Sequence, residues 1–198
     1  MSAASCALLE DGRIACWGQT EQSYGQPYMG CEPRIVMTEQ GKLTGVVRLE
    51  VGLGLTPAGE LWDWTDPEPI AQRHEGLPPL ADIGTTRGTV CAVTRKGEPL
   101  CWAARDPCFE RAMPFFPRPT MLDGLPRVRA VACGDDEEVC LFVGEDGYLW
   151  AWTREGVTRG PPIPSTDVSV VVDDGGCFVS DGVPTCWGGS VVRSRRRG

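Results

Sequence analysis

Ten cysteines, seven tryptophans and one histidine carry the most distinctive chemistry in this 198-residue sequence. Thiols serve as metal ligands, nucleophiles, disulfide partners or small buried apolar groups, and spacing helps to separate these uses. Zinc sites favour Cys-x-x-Cys pairs, whereas the closest cysteines here, Cys101 with Cys108 and Cys133 with Cys140, are seven positions apart. No metal is expected. His74 is the only histidine, which removes every catalytic scheme that needs two and leaves a nucleophilic triad without a nearby serine motif. The acidic runs Asp135-Asp136-Glu137-Glu138 and Asp173-Asp174 lack the alternating oxygen ligands and glycine of a calcium loop, so they read as solvated turns. The sequence thus predicts no catalytic residues, no cofactor and no metal, and the chain is read as not an enzyme.

The elements that must hold these residues repeat along the chain. In five segments a glycine precedes a tryptophan by five positions: Gly12 and Trp17, Gly59 and Trp64, Gly97 and Trp102, Gly147 and Trp152, Gly182 and Trp187. Successive glycines are separated by 47, 38, 50 and 35 residues, the range in which propeller blades recur. Each segment has two apolar stretches around a tight polar turn and reads as a β-hairpin. In Glu10-Asp11-Gly12 the glycine takes the left-handed conformation that closes a three-residue loop with a bulge. A loop centred on residue 11 sets Cys6 opposite Cys16, and the same geometry sets Cys91 opposite Cys101; the shorter fifth turn sets Cys177 opposite Cys186.

Directly opposed strand residues are close enough to be bridged. Where the cysteines are missing from the repeat they are missing together, as Leu53 with Asp63 and Leu141 with Ala151. The disulfide candidates are therefore Cys6 with Cys16, Cys91 with Cys101, Cys177 with Cys186, and Cys133 with Cys140 across the Gly134–Glu138 turn, while Cys31 and Cys108 are what remains. Closing the loop from Cys6 to Cys16 stabilises by roughly 2.5 to 3 kcal/mol on the chain-entropy account.

Neither strand of the hairpin alternates cleanly, as Cys6-Ala7-Leu8-Leu9 and Ile14-Ala15-Cys16-Trp17 show, so both faces must be covered. A blade pressed between two others meets that demand better than a sandwich with one wet face. A further strand per repeat is expected at Val46–Gly52, Leu80–Gly84, Val128–Gly134 and Val168–Asp174. The five recurrent tryptophans are expected to pack between blades. Trp62 and Trp150 lie two residues earlier on the same face and offer stacking surface. Together with Phe115 and Phe116, in the proline-rich loop 112–119, they are the candidate partner-binding residues.

Composition narrows the function classes. With 27 Asp and Glu against 19 Lys and Arg, the formal net charge is -8, which argues against nucleic acid as a partner. No apolar run approaches the roughly 20 residues of a membrane helix, so no membrane span is expected. The 25 glycines and 17 prolines, spread along the chain, disfavour helix and point to an all-β protein, and 41% hydrophobic residues suffice for a packed core. Arg193, Arg195, Arg196 and Arg197 read as a basic tail.

These segments resemble the regulator of chromosome condensation repeat. Cys6 to Gly18 matches its Cys-Ala-Leu-Leu-x-Asp-Gly-x-x-x-Cys-Trp-Gly core, Tyr24-Gly25-Gln26 through Gly30 is similar to its continuation, and Leu125 to Gly134 is similar to its opening strand. The resemblance implies a β-propeller. Family propellers generally have seven blades, so about five repeats imply a compact five-bladed ring, an open arc or part of a longer propeller. Residues 1–192 are expected to form a single propeller domain of these repeats, and 193–198 the tail. Family members include nucleotide exchangers on small GTPases at chromatin, light sensors with clustered tryptophans, and β-lactamase inhibitors. None of these functions transfers residue by residue.

The expected function is a non-catalytic protein–protein interaction module on a disulfide-stiffened propeller, with an unidentified protein partner. The alternatives are a sialidase-like glycoside hydrolase and a structural fragment of a larger repeat protein. Disulfides imply an oxidising compartment. Met1-Ser-Ala-Ala-Ser-Cys6, however, has neither a basic start nor an apolar signal core. A secreted or cell-envelope protein is expected, with a cytoplasmic one as the alternative.

Overall fold

The computed structural model describes residues 3–19, 34–38, 41–50, 52–64, 70–86, 88–103, 118–134, 139–153, 155–163, 167–169, 175–180 and 183–188; for 3–5, 18–19, 34, 167–169, 175–180 and 183–188 it describes the backbone alone. Every described element is a β-strand. Gly and Pro interrupt the chain too often for helix, and the apolar stretches between them are of strand length.

The chain divides into two compact units, Met1–Leu80 and Ala81–Gly198. In the first, β1 (Ala3–Leu8), β2 (Ile14–Gln19) and β3 (Arg34–Ile35) form one antiparallel sheet. A small hairpin follows, β4 (Met37–Thr38) with β5 (Gly41–Lys42). The second sheet runs in chain order through β6 (Arg48–Glu50), β7 (Leu53–Leu55), β8 (Leu61–Asp63) and β9 (Gln72–Arg73).

The remaining sheets repeat this pattern. One comprises β10 (Leu80–Thr85), β11 (Thr89–Thr94), β12 (Pro99–Ala103) and β13 (Thr120–Met121). The next comprises β14 (Val128–Cys133), β15 (Cys140–Gly144), β16 (Tyr148–Thr153) and β17 (Gly156–Pro162). The last comprises β18 (Asp167–Ser169), β19 (Gly175–Ser180) and β20 (Val183–Gly188). The five larger sheets are called blades 1 to 5 below.

One turn builds four of the central hairpins. The N–H of the turn glycine donates to the carbonyl three residues earlier, Gly12 to Leu9, Gly59 to Thr56 and Gly97 to Thr94 at 2.9 Å and Gly147 to Gly144 at 3.1 Å. All four glycines have φ between 78° and 84°, the left-handed region that costs a Cβ-bearing residue about 1–2 kcal/mol. In the second unit the same glycine has another task. The Gly97 carbonyl accepts the Val128 N–H at 2.8 Å, and the Gly147 carbonyl accepts the Ile163 N–H at 2.7 Å. Each turn thus docks the chain as it leaves for the following blade.

Hydrophobic burial between neighbouring blades supplies the core. Ile14, Cys16, Val36, Leu43, Val46, Trp64 and Ala71 pack together between blades 1 and 2. Cys91, Val93, Cys101, Leu122, Val128, Val131, Cys140, Phe142 and Trp152 pack together between blades 3 and 4. Fully burying a side chain such as Phe142 is worth about 1.5–3 kcal/mol, so these junctions rather than single sheets hold each unit. Strand neighbours point to opposite faces, and the other face of blade 4 buries Leu141, Leu149 and Ile163.

Candidate interaction site

The hairpin register decides which side chains meet. Cys6 lies opposite Cys16 and Cys91 opposite Cys101, and both pairs are disulfide-bonded. Cys133 lies opposite Cys140 across β14 and β15 and is bonded to it. The backbone of blade 5 sets Cys177 opposite Cys186, whose side chains lie outside the description. Cys31, Cys108, the loop with Phe115 and Phe116, and the tail 193–198 also lie outside the described residues. The sulfur atoms of Cys91, Cys133 and Cys140 lie within 4.8 Å of one another. All three are committed to disulfides, so in this state none offers the thiolate a metal requires.

The hairpin tryptophans serve two purposes. Trp64, Trp102 and Trp152 are buried. Trp64 shares its core with Cys16 of the preceding blade, and Trp152 shares its core with Cys91 and Cys101 of the preceding blade. Trp17 departs from the expected packing role and is 37% exposed. It lies on the face of blade 1 opposite to Cys16, because adjacent residues of a strand alternate.

Trp62 and Trp150 occupy the third position after the turn glycine in blades 2 and 4, the blades whose hairpins lack the cysteine pair. Both are half-buried and pack against the edge of a junction. Their cross-strand neighbours are also equivalent, with Arg73 of β9 opposite Trp62 and Arg159 of β17 opposite Trp150. In blade 2 the guanidinium of Arg73 bonds Glu60 at 3.0 Å and Glu75 at 3.4 Å. These two carboxylates, Glu60 first, hold the Arg73 proton more firmly than usual. The pairs are solvent-exposed, so screening keeps them weak.

Blade 4 uses the same positions differently. Tyr148 stands where blade 2 has Glu60, and the Arg159 guanidinium lies 3.5 Å above its ring centroid and 5.8 Å from that of Trp150. A cation on an exposed ring face contributes about 0.5–1 kcal/mol. The Trp150 indole N–H donates to Asp146 at 3.3 Å, and the Tyr148 backbone N–H donates to the same oxygen at 3.2 Å. Gly144 leaves room for this, since a Cβ there would come within 3.0 Å of the indole nitrogen.

Tyr148, Trp150 and Arg159 thus form a partly rigid aromatic and cationic patch on the outer strands of blade 4. In the turn of blade 1 the acidic residue Asp11 is engaged locally. The backbone N–H of Arg13, and then its guanidinium, hold the Asp11 carboxyl below the ordinary carboxylate range. Sequence reasoning missed the two arginines, because β9 and β17 are exposed strands without alternation. The available signal was that Trp occurs at the third position only in the repeats without a cysteine pair.

No family model matches the chain, and no curated protein matches it. Similar solved structures exist. Human WBSCR16 has 16% identity and a TM-score of 0.65, covering 94% of this chain and 59% of its own. Prp20p from Saccharomyces cerevisiae, described with its binding to Gsp1p and histones, has 16% identity and a TM-score of 0.57, covering 89% of this chain and 51% of its own. Yeast RCC1 (Prp20) bound to Kap60 has 17% identity and a TM-score of 0.57, covering 92% and 51%. This chain spans about half to three-fifths of the length of those proteins. The likeness shows the fold, and the all-β, propeller-type array expected from the sequence is borne out.

Proposed function

We propose that the chain is a non-catalytic protein-interaction module, and that the outer strands of blade 4, with Tyr148, Trp150 and Arg159, carry its contact surface. The observation that supports this most is the Arg159 guanidinium stacked on Tyr148 beside Trp150. Tyr, Trp and Arg are the residues most enriched among those that dominate binding energy in protein interfaces, and a patch held in place beforehand loses little side-chain freedom on binding.

A guanidinium stacked on a ring keeps its N–H edge available to a carboxylate, so an acidic contact on the partner fits this patch. Prp20p is described with binding to Gsp1p and histones, and yeast RCC1 (Prp20) with Kap60, which makes protein partners a reasonable use of such a fold. The three disulfides among the described residues favour an oxidising setting for the module, secreted or in the cell envelope.

The test uses the full chain as immobilised bait, alongside Arg159→Ala and, as a control on an exposed arginine elsewhere, Arg118→Ala. A protein retained by wild type and by the control, and held at least about tenfold more weakly by Arg159→Ala, supports the reading. Equal retention by all three baits overturns the assignment of the patch, and turnover of chromogenic glycosides by the purified chain overturns the non-catalytic reading.

A further inference from the structure

Four sulfur atoms from blades 3 and 4 converge in the second unit. Cys91 and Cys101 close the central hairpin of blade 3, and Cys133 and Cys140 join the first two strands of blade 4. The register puts the first pair on the face of blade 3 that meets blade 4, and the second pair on the facing side. The Sγ of Cys140 lies 3.4 Å from the Sγ of Cys91, and both residues are completely buried. Cys101 is equally buried, whereas Cys133 is half-buried. Gly84 of β10 makes room for this arrangement, since a Cβ there would approach the Cys133 sulfur to 3.2 Å.

Disulfides exchange when a thiolate in contact with a disulfide sulfur displaces its partner. We propose that these two disulfides form a thiol–disulfide relay, in which a dithiol reductant reacts at Cys133 and the final product is a Cys91–Cys140 bond that staples blade 3 to blade 4. A reductant thiolate attacks the Cys133 sulfur, and the Cys133–Cys140 bond breaks with Cys140 leaving as thiolate. The second thiol of the reductant resolves the mixed disulfide, which frees Cys133 and releases the reductant as its own disulfide. The Cys140 thiolate then attacks the Cys91 sulfur at the contact already present. The Cys91–Cys101 bond breaks, and Cys101 departs as thiolate. In sum, one dithiol loses two electrons, its two protons finish on Cys101 and Cys133, and two intrablade bonds become one interblade bond.

The buried Cys91–Cys101 bond is otherwise out of reach of a reagent unless the junction opens. The relay gives it a route through Cys133. Its consequence is a change in which parts of the molecule are covalently joined, with neighbouring blades linked in the partly reduced state and each blade closed on itself in the oxidised state.

The full-length oxidised chain is treated anaerobically with one equivalent of dithiothreitol, quenched in acid, alkylated and mapped by mass spectrometry. The expected product is a peptide pair linked through Cys91 and Cys140, with the alkyl label on Cys101 and Cys133. Label confined to Cys133 and Cys140, with Cys91–Cys101 intact, overturns the proposal. In a Cys133→Ser/Cys140→Ser variant, reduction of Cys91–Cys101 is expected to slow by roughly tenfold or more, because only opening of the junction then admits the reagent. An unchanged rate there, with a cooperative urea unfolding transition showing that the variant is still folded, counts equally against it.

Discussion

Blades 3 and 4 share a turn, a strand order and a buried tryptophan at the same position, yet they differ two residues away. Blade 3 has a disulfide across its hairpin and Leu100 at the third position after the glycine. Blade 4 has Leu141 opposite Ala151 in place of the cysteines and Trp150 at the third position, with Arg159 beside it. Blades 1 and 2 show the same contrast, Cys6–Cys16 in one and Trp62 with Arg73 in the other. The two kinds meet face to face, because the disulfide of one blade lies in the core that receives the paired tryptophans of the following blade. The structural unit is therefore the junction, with a covalent brace on one side and a double aromatic wall on the other. The third and fourth positions serve opposite faces and vary between blades, while the glycine turns four of the central hairpins and the fifth-position tryptophans Trp64 and Trp152 fill the two described junctions.

Substitutions can break this comparison in graded steps. Trp152→Ala empties the aromatic side of the junction and is expected to cost about 3–5 kcal/mol in urea unfolding, well above Trp150→Ala at the half-buried rim. Removing the covalent side with Cys91→Ala/Cys101→Ala is expected to cost about 2.5–3 kcal/mol, a difference that vanishes when wild type and variant are compared under full reduction. A third step separates the turns. Gly97→Ala introduces a Cβ at positive φ within 3.1–3.3 Å of Glu145, Val128 and Arg127, whereas at Gly147 nothing lies within 4 Å. About 2–3 kcal/mol is expected for the first and about 1 kcal/mol for the second, both from chemical denaturation.

The smallest effect concerns Asp11, whose carboxyl is held below its ordinary value of 3.8. A group with a depressed folded pKa contributes stability that is present above the unfolded value and lost as pH falls through the folded one. Thermal melts of Asp11→Asn should lie slightly below wild type at pH 6, and the gap should close as the pH drops below 3.8.

Much of the fold was legible from particular residues. The glycine at each turn and the cysteines placed symmetrically around it gave the hairpin register, because a three-residue loop leaves one pairing. The apolar stretches Val128–Gly134 and Leu80–Gly84 gave first strands, which the structure places at Val128–Cys133 and Leu80–Thr85. The outer strands β9, β13 and β17 leave no mark in the sequence pattern. They are short or wet on both sides, so hydrophobic alternation says nothing about them. Their arginines went unseen for the same reason.

The sulfur convergence was hidden as well. Cys140 sits one position off the repeat's cysteine site, which turns its side chain to the opposite face, and only the packing of one blade on the next brings it to Cys91. Trp17 shows the converse limit, for its position in the repeat implied burial and its surroundings leave it exposed.

The three observed disulfides join residues only 10, 10 and 7 positions apart. A hairpin closes in about 1–10 microseconds, far faster than oxidation, so every crosslink has its partner aligned while distant segments are still unsynthesised. These three bonds can then form from the N-terminus onward, one repeat at a time, before the long-range architecture assembles.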